Sequence, residues 1–491
     1  MKNFIQVIIV AIAVIFVNLT VTAAYIGTSY NYNDYGESVP SPDAYLVTQI
    51  LTGELIGSGS LENPQDLFVA NDNKIYVADT GNNRILILSP ELKLIKEITQ
   101  LNNTDITSLM QPSGLFVDDK GNIYICDTGN ERAIKVDSSG MVMNEYIKPD
   151  SQTLDVDFVF KPLKISVDSA GGVYIIAYGI YQGLISYDND GTFLNFYGSN
   201  KIEATIAVIA DNMWKKLFTK SQRESMGRTI PTEYSNMVID DKNFIYTTTL
   251  KTEGSINEVK KLNALGNNIL RFDAFNTYYP KNNFGDIDVE WYKGQRIDNV
   301  FVDLSVDDNG IMALLDKERC RIYEYNKEND LLFIFGNRGN QKGEFLNPTA
   351  IDKIDDKYLV LDSDKDTITI LTPTAYTSEL KNVMNLYSAG LYEESIEGFK
   401  SLLSQNNNLS IAYKGIGKAY LQKEDFKSAM IHFRKANYKQ GYSDALSEYR
   451  KIFLRKNLLP ILFTCIVLIV VIVQLIKKFK IWLLAGRNIM L

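Results

Sequence analysis

Residues 63–88, NPQDLFVANDNKIYVADTGNNRILIL, return at 111–136 as QPSGLFVDDKGNIYICDTGNERAIKV. Each copy reads as three short strands: 67–70, 74–79 and 85–88 in the first, turned at Asn71-Asp72-Asn73 and at Thr80-Gly81-Asn82. Apolar β-formers between Gly, Asn and Asp clusters are the signature of hairpins. A multi-strand unit recurring at a spacing of forty-eight residues, from Asp79 to Asp127, points to the blade of a β-propeller.

Taking Asp79 as a marker, equivalent positions follow at Asp127, Ala177, Thr249, Asp316 and Asp362, each behind an apolar strand. That makes six units. The last one supplies strands between 350 and 371 but then meets Pro373 and helical sequence, so its fourth strand is missing. The isolated apolar segment 45–50 is the natural replacement, and closing the ring this way removes exposed sheet edges. The expected fold is therefore an all-β six-bladed propeller over 45–375, closed by strand 45–50. Two insertions interrupt it, at 200–228 and 275–298.

The segments DTGNNRI, DTGNERA and FGNRGNQKGEFLNP resemble NHL repeats, and that resemblance implies the same six-bladed propeller. From 377 to 456 the period turns helical. Gly417, Tyr420, Ala429, Phe433 and Ala436 fall at positions 8, 11, 20, 24 and 27 of a 34-residue unit, with Ser395, Phe399 and Leu402 one unit earlier. This resembles a stack of tetratricopeptide (TPR) repeats, capped by a helix over 442–456.

The two ends suggest a membrane. Residues 1–24 have the layout of a signal peptide cleaved after Ala23 or Ala24, or of an N-terminal anchor that stays in place. Residues 25–44 read as an extended spacer. The stretch 458–476 carries no charge and is long enough to form a transmembrane helix. Lys477, Lys478, Lys480 and Arg487 then make 477–491 a basic tail facing the cytoplasm. The expected location is the cell membrane, with the bulk of the chain outside the cytoplasm.

Chemistry is narrowed by what the chain lacks. A net charge of -8 gives no footprint for nucleic acid. One histidine, His432, leaves almost no histidine chemistry, and Cys126, Cys320 and Cys465 form no disulfide framework, although a Cys126–Cys320 pair stays open. The paired Asp-Thr-Gly motifs could belong to an aspartic protease. Inside a repeat they read instead as turns, with Asp79 and Asp127 bonding backbone and Gly81 and Gly129 supplying positive φ. The acidic runs 362–366 and 286–290 both read as solvated turns, with aromatics near the second that leave a ligand surface open there.

The candidate contact surface consists of Trp214 in the first insertion and Tyr278, Tyr279, Trp291 and Tyr292 in the second. The expected function is a membrane-anchored binding or scaffold protein at the bacterial cell surface, engaging a protein of a transport or envelope system or a carbohydrate. No cofactor is expected, and the bilayer is engaged through 458–476. The alternative is a metal-dependent lactonase or lyase. The resemblance implies that such propellers hold zinc through histidines, or another divalent cation through carboxylates and Asn.

Overall fold

The computed structural model describes residues 29–33, 36–154, 157–199, 233–249, 258–270 and 284–487, with side chains through residue 480. The expected signal or anchor 1–24, the insertion 200–228 with Trp214, and Tyr278 and Tyr279 lie outside the described residues.

Six antiparallel sheets follow one another along residues 45–373. The first blade is built from Asp66–Val69, Ile75–Asp79, Arg84–Leu88 and Leu94–Ile98, and the second from Pro112–Val117, Ile123–Asp127, Arg132–Val136 and Val142–Tyr146. Pro162–Val167, Val173–Ala177, Leu184–Tyr187 and Phe193–Tyr197 form the third. The fourth shows three strands among the described residues, Tyr234–Ile239, Ile245–Thr249 and Val259–Leu262. Phe301–Val306, Met312–Asp316, Arg321–Tyr325 and Leu331–Phe335 form the fifth, and Pro348–Ile354, Lys357–Asp362 and Thr367–Pro373 begin the sixth. The marker positions Asp79, Asp127, Ala177, Thr249, Asp316 and Asp362 each end the second strand of a blade.

Burial explains the strand sequences. Second strands such as Ile75–Asp79, Ile123–Asp127 and Met312–Asp316 are buried at every position, because each lies between two neighbouring sheets. The outermost strand Leu94–Ile98 is mostly exposed and reads half polar. The core is accordingly a set of apolar layers between blades. One layer joins Ile85, Ile87 and Ile98 of the first blade to Leu115, Ile123 and Ile125 of the second, and another joins Leu67, Val77 and Leu86 to Leu359, Leu361 and Ile368 of the sixth. Each such aliphatic side chain contributes roughly 1.5–3 kcal/mol on burial.

Tyr45–Thr52 pairs antiparallel with Thr367–Pro373, from Thr52 against Thr367 to Tyr45 against Pro373, and so gives the sixth blade its fourth strand. Tyr45 stacks on Phe335 of the fifth blade with ring centroids 4.7 Å apart. Residues 25–44, expected as a spacer, depart from that reading. Tyr30–Tyr32 and Ser38–Pro40 form a hairpin that continues the fifth sheet outward, with Tyr30 opposite Ile334. The tyrosines draw it in: both hydroxyls donate to Asp286.

A second unit begins at Leu380. It is helical: Tyr392–Gln405, Ser410–Gln422 and Phe426–Lys435, preceded by Ala375–Ser388 and followed by Lys439–Arg487. Gly417 has no room for a side chain, since a Cβ there would lie 2.6 Å from the Phe433 ring. Ala429 and Phe433 are buried beside it, and Tyr420 packs on them. Helix Lys439–Arg487 breaks at Asn457 (φ -114°, ψ 15°). Pro460 lies three residues on, where its ring cannot coexist with a regular turn before it. Beyond the break, the helix is long and apolar enough to cross a membrane, and none of its apolar window is buried.

Candidate functional site

The Asp-Thr-Gly turns prove to be fastenings. Asp79 accepts from Glu62 N at 2.8 Å, Asn82 Nδ2 at 2.9 Å and Arg84 Nε at 2.7 Å. Asp127 repeats this with Met110 N at 2.8 Å, Asn130 Nδ2 at 2.8 Å and Arg132 Nε at 3.0 Å. Thr80 and Thr128 donate across to the Pro112 and Pro162 carbonyls of the next blade, each at 2.6 Å. The glycines correct the expectation about backbone. Positive φ falls at Asn83 (54°) and Glu131 (57°), not at Gly81 or Gly129. Those glycines are needed for close approach: Gly81 N donates to Glu62 O at 2.8 Å, and a Cβ would stand 2.6 Å from that oxygen.

Asp362 in the acidic run 362–366 is likewise a turn residue, accepting from Leu346 N at 2.7 Å and Asp364 N at 3.1 Å. Cys126 and Cys320 are both free and buried, in the second and fifth blades, so they form no pair. His432 lies in Phe426–Lys435, with Nδ1 2.8 Å from Ser428 O and its ring against Tyr420.

The innermost strand of each blade lines the axis, and one position on it stops repeating: Asp66, first of Asp66–Val69, answers in register to the third residue of the other five, Gly114, Lys164, Asn236, Asp303 and Ala350. Lys164 Nζ reaches past the second blade to Asp66 Oδ1 at 2.5 Å, and both side chains are nearly buried. Gly114 opens the way, because a Cβ there would run into the backbone of Leu163 and Lys164. Asp66 Oδ2 accepts from Leu115 N at 2.8 Å. Asp303 accepts from Asn236, from Leu304 N at 2.8 Å and from Ile351 N at 2.6 Å. Asp352, two residues beyond Ala350 in the sixth blade, accepts from Val69 N at 2.7 Å. Each carboxylate thus ties one blade to another.

This ring does not fit a divalent cation. A lysine ammonium already lies against Asp66, and the remaining carboxylate oxygens are turned to backbone amides. Among the described residues no three His, Cys, Asp or Glu side chains group as a metal-holding set.

Burial pushes the Asp303 carboxyl up to about 8, with Lys164 drawing it down and Asp66 opposing. Burial likewise raises Asp316 to about 7 and Asp352 to about 6, against backbone amides. All three hold protons when folded at pH values where an unfolded Asp, near 3.9, has lost its own. Their contribution is complete below that value and is lost as pH rises through the folded ones. Asp286 moves the other way: burial would raise it, but Arg321 and three tyrosine hydroxyls bring it below the usual range, so it matters only in strong acid. The melting temperature is therefore expected to fall from about pH 5 to about pH 8 and level off beyond. Calorimetry across that range checks this, and a rise with pH would contradict it.

The second insertion is described from residue 284. Glu290–Tyr292 and Gln295–Ile297 pair as a two-stranded hairpin between the fourth and fifth blades, turning at Lys293 (φ 50°) and Gly294 (φ 79°). An isolated ribbon of this length is barely stable alone. Here it is fastened by Arg319 and Arg321 of the fifth blade. Arg321 Nη1 donates to Asp286 Oδ2 at 2.6 Å and Glu290 Oε2 at 2.7 Å, while Arg319 Nη1 reaches the same two oxygens at 3.3 and 3.1 Å. Arg319 Nη2 donates to Asp288 O at 2.8 Å. Asp286 also accepts from Tyr30, from Tyr32 at 2.8 Å and from Tyr323 at 2.8 Å. Asp286 is thus an internal anchor.

What the anchor holds up is aromatic. Trp291 is 66% exposed and Tyr292 44%, with the Arg338 guanidinium 4.9 Å from the Tyr292 ring centre. Trp291 lies opposite Arg296 across the hairpin. Trp291 and Tyr292 thus stand on one fastened hairpin, as successive strand residues whose side chains leave its opposite faces.

Sequence reasoning passed over two sets of residues, the axial ring and the pair Arg319 and Arg321. For the arginines a signal was present. DKERCR at 316–321 stands where DTGNNR and DTGNER stand in the first two blades, with an Arg replacing the Asn.

The chain's sequence matches no curated protein. Among solved structures, it is similar to a catalytically inactive virginiamycin B lyase from Staphylococcus aureus bound to quinupristin, with 12% identity, TM-score 0.38, and coverage of 63% of this chain and 80% of that one. It is also similar to a putative gluconolactonase (9%, TM-score 0.36, 68% and 93%) and to a protein of unknown function from Bacteroides caccae (10%, TM-score 0.36, 65% and 90%). Likenesses at this level carry no information about reaction or ligand. At the level of families, residues 61–88, the first blade with its Asp79 fastening, match the NHL repeat.

Proposed function

We propose that the protein is a membrane-anchored binding scaffold whose propeller engages a partner through the Trp291–Tyr292 hairpin. The observation that carries this reading is the contrast between hairpin and axis. Two exposed aromatics stand on a hairpin fastened by four buried or half-buried charges, while the axial ring is tied up in contacts between blades. Exposed, preorganised Trp and Tyr are the side chains that dominate binding energy at interfaces, because little entropy is lost on contact. The partner class is a protein or an envelope carbohydrate, as part of a transport or envelope system at the bacterial surface. Trp214, Tyr278 and Tyr279 are proposed to contribute to partner binding.

The helical unit supports a TPR reading. Tyr392 and Phe426, which open successive second helices, are 34 residues apart, and Ser395, Phe399 and Leu402 are buried like Ala429, Phe433 and Ala436. In chain order the proposed reading runs signal or anchor, propeller, TPR stack, transmembrane helix and cytoplasmic basic tail. The lactonase or lyase alternative would need a cation site at the axis, and Lys164 disfavours it.

Proximity labelling from the full chain in its own membrane tests the proposal. Replacing Trp291 and Tyr292 by Ala is expected to weaken partner labelling about tenfold or more, as for loss of an aromatic hot spot, with the melting temperature unchanged. Labelling that ignores the substitution would reject it.

A further inference from the structure

We propose that the turn of the fifth blade is a two-position latch. Arg319 and Arg321 hold the inserted hairpin through Asp286 and Glu290 while Asp316 is neutral, and they return to Asp316 when it ionises, loosening the hairpin.

The internal repeat provides the comparison. In the first two blades the turn Asp is served by an Asn three residues on and an Arg five residues on: Asn82 and Arg84 for Asp79, Asn130 and Arg132 for Asp127. In the fifth blade Asp316 occupies that place, with Arg319 and Arg321 at the corresponding positions. Arg321 is still the cross-strand partner of Asp316, as Arg84 is of Asp79. The backbone of the turn is also the same, since Cys320 (φ 55°) repeats the left-handed residue of Asn83 and Glu131. Only the side chains have been reassigned. Both guanidiniums now go to Asp286 and Glu290.

Asp316 has backbone amides for partners, that of Arg319 at 2.9 Å on Oδ1 among them, and no side-chain cation, and its Oδ2 is buried with no hydrogen-bond partner. Arg319 Nε is buried and unpartnered as well. A donor and an acceptor, both unused in one turn, mark the second position of the latch. A neutral carboxyl tolerates that place and an ionised one does not, which agrees with its raised pKa. The charged and titratable groups around it are Arg319, Arg321 and Tyr323 of the same blade, Cys320 and Glu318 in the turn, Arg338 and Asp362 beyond Cys320, and Asp286 and Glu290 of the inserted loop. Among them, Arg319 and Arg321 are the cations able to serve either carboxylate cluster without backbone rearrangement.

The test uses Trp291 as reporter. The chain has three Trp, so replacing Trp214 and Trp482 by Phe leaves Trp291 alone in the full-length protein. Acrylamide quenching and anisotropy of Trp291 are followed from about pH 5.5 to about pH 8.5. Expected is a single transition near pH 7 to a more mobile, more accessible indole. Asp316→Asn should abolish the transition and hold the low-pH signal throughout. Asp286→Asn should hold the high-pH signal throughout. Hydrogen exchange of hairpin amides 290–297 in the unmodified chain, corrected for intrinsic rates, should lose protection over the same range, and this reading needs no variant to fold. A pH-independent Trp291, a transition that survives Asp316→Asn, or unchanged amide protection would overturn the latch.

Discussion

Lys164→Met is expected to lower the stability of the propeller by about 3–5 kcal/mol, the usual cost of stripping one partner from a buried ion pair. The variant leaves Asp66, 6% exposed, with one backbone amide as its remaining donor and no cation. Asp303 would lose the charge that draws its carboxyl down. Calorimetry of the full chain measures the loss. Adding Asp66→Asn to Lys164→Met should restore much of it, because the neutral amide needs no counter-charge. A double variant no better than the single one would mean that the loss does not come from the uncompensated Asp66 charge.

Asp286→Ala is expected to cost a similar amount, about 3–5 kcal/mol, and to act locally first. It removes the acceptor for Arg319, Arg321, Tyr30, Tyr32 and Tyr323 at once. Two hairpins depend on that carboxylate, Tyr30–Pro40 at the edge of the fifth sheet and Glu290–Ile297 beside it. Hydrogen exchange should show both losing protection together, while second strands such as Ile75–Asp79 keep theirs. Loss confined to one hairpin would show that the two are fastened independently.

The architecture was legible because it is written locally. Each blade marker sits at the end of an apolar strand before a turn, and Ala177 and Thr249 could be placed by strand pattern even after the Asp was lost. The sites were harder for a physical reason. The axial ring takes one residue from each blade, and those residues differ in kind, so neither spacing nor identity repeats. The Asp286 anchor depends on Tyr30 and Tyr32, more than 250 positions earlier in the chain, and no local pattern signals contacts of that range. The acidic run 286–290 and the aromatics after it were visible as a feature. Their division of labour, with Asp286 turned inward and Trp291 outward, is visible only in burial and in the ion pairs. Gly81 and Gly129 teach a related lesson. Sequence suggested freedom of φ, whereas the constraint is the space left by Glu62 and Met110.

The most direct test of where this protein acts compares two variants in one proximity-labelling experiment on living cells. One carries Trp291→Ala and Tyr292→Ala on the hairpin; the other carries Asp66→Asn and Lys164→Met at the axis. Expected is loss of partner labelling in the first and retention in the second. Retention in the first with loss in the second, accompanied by divalent-ion-dependent lactone hydrolysis in the parent chain, would contradict a hairpin-centred binding scaffold and move the function to the axis.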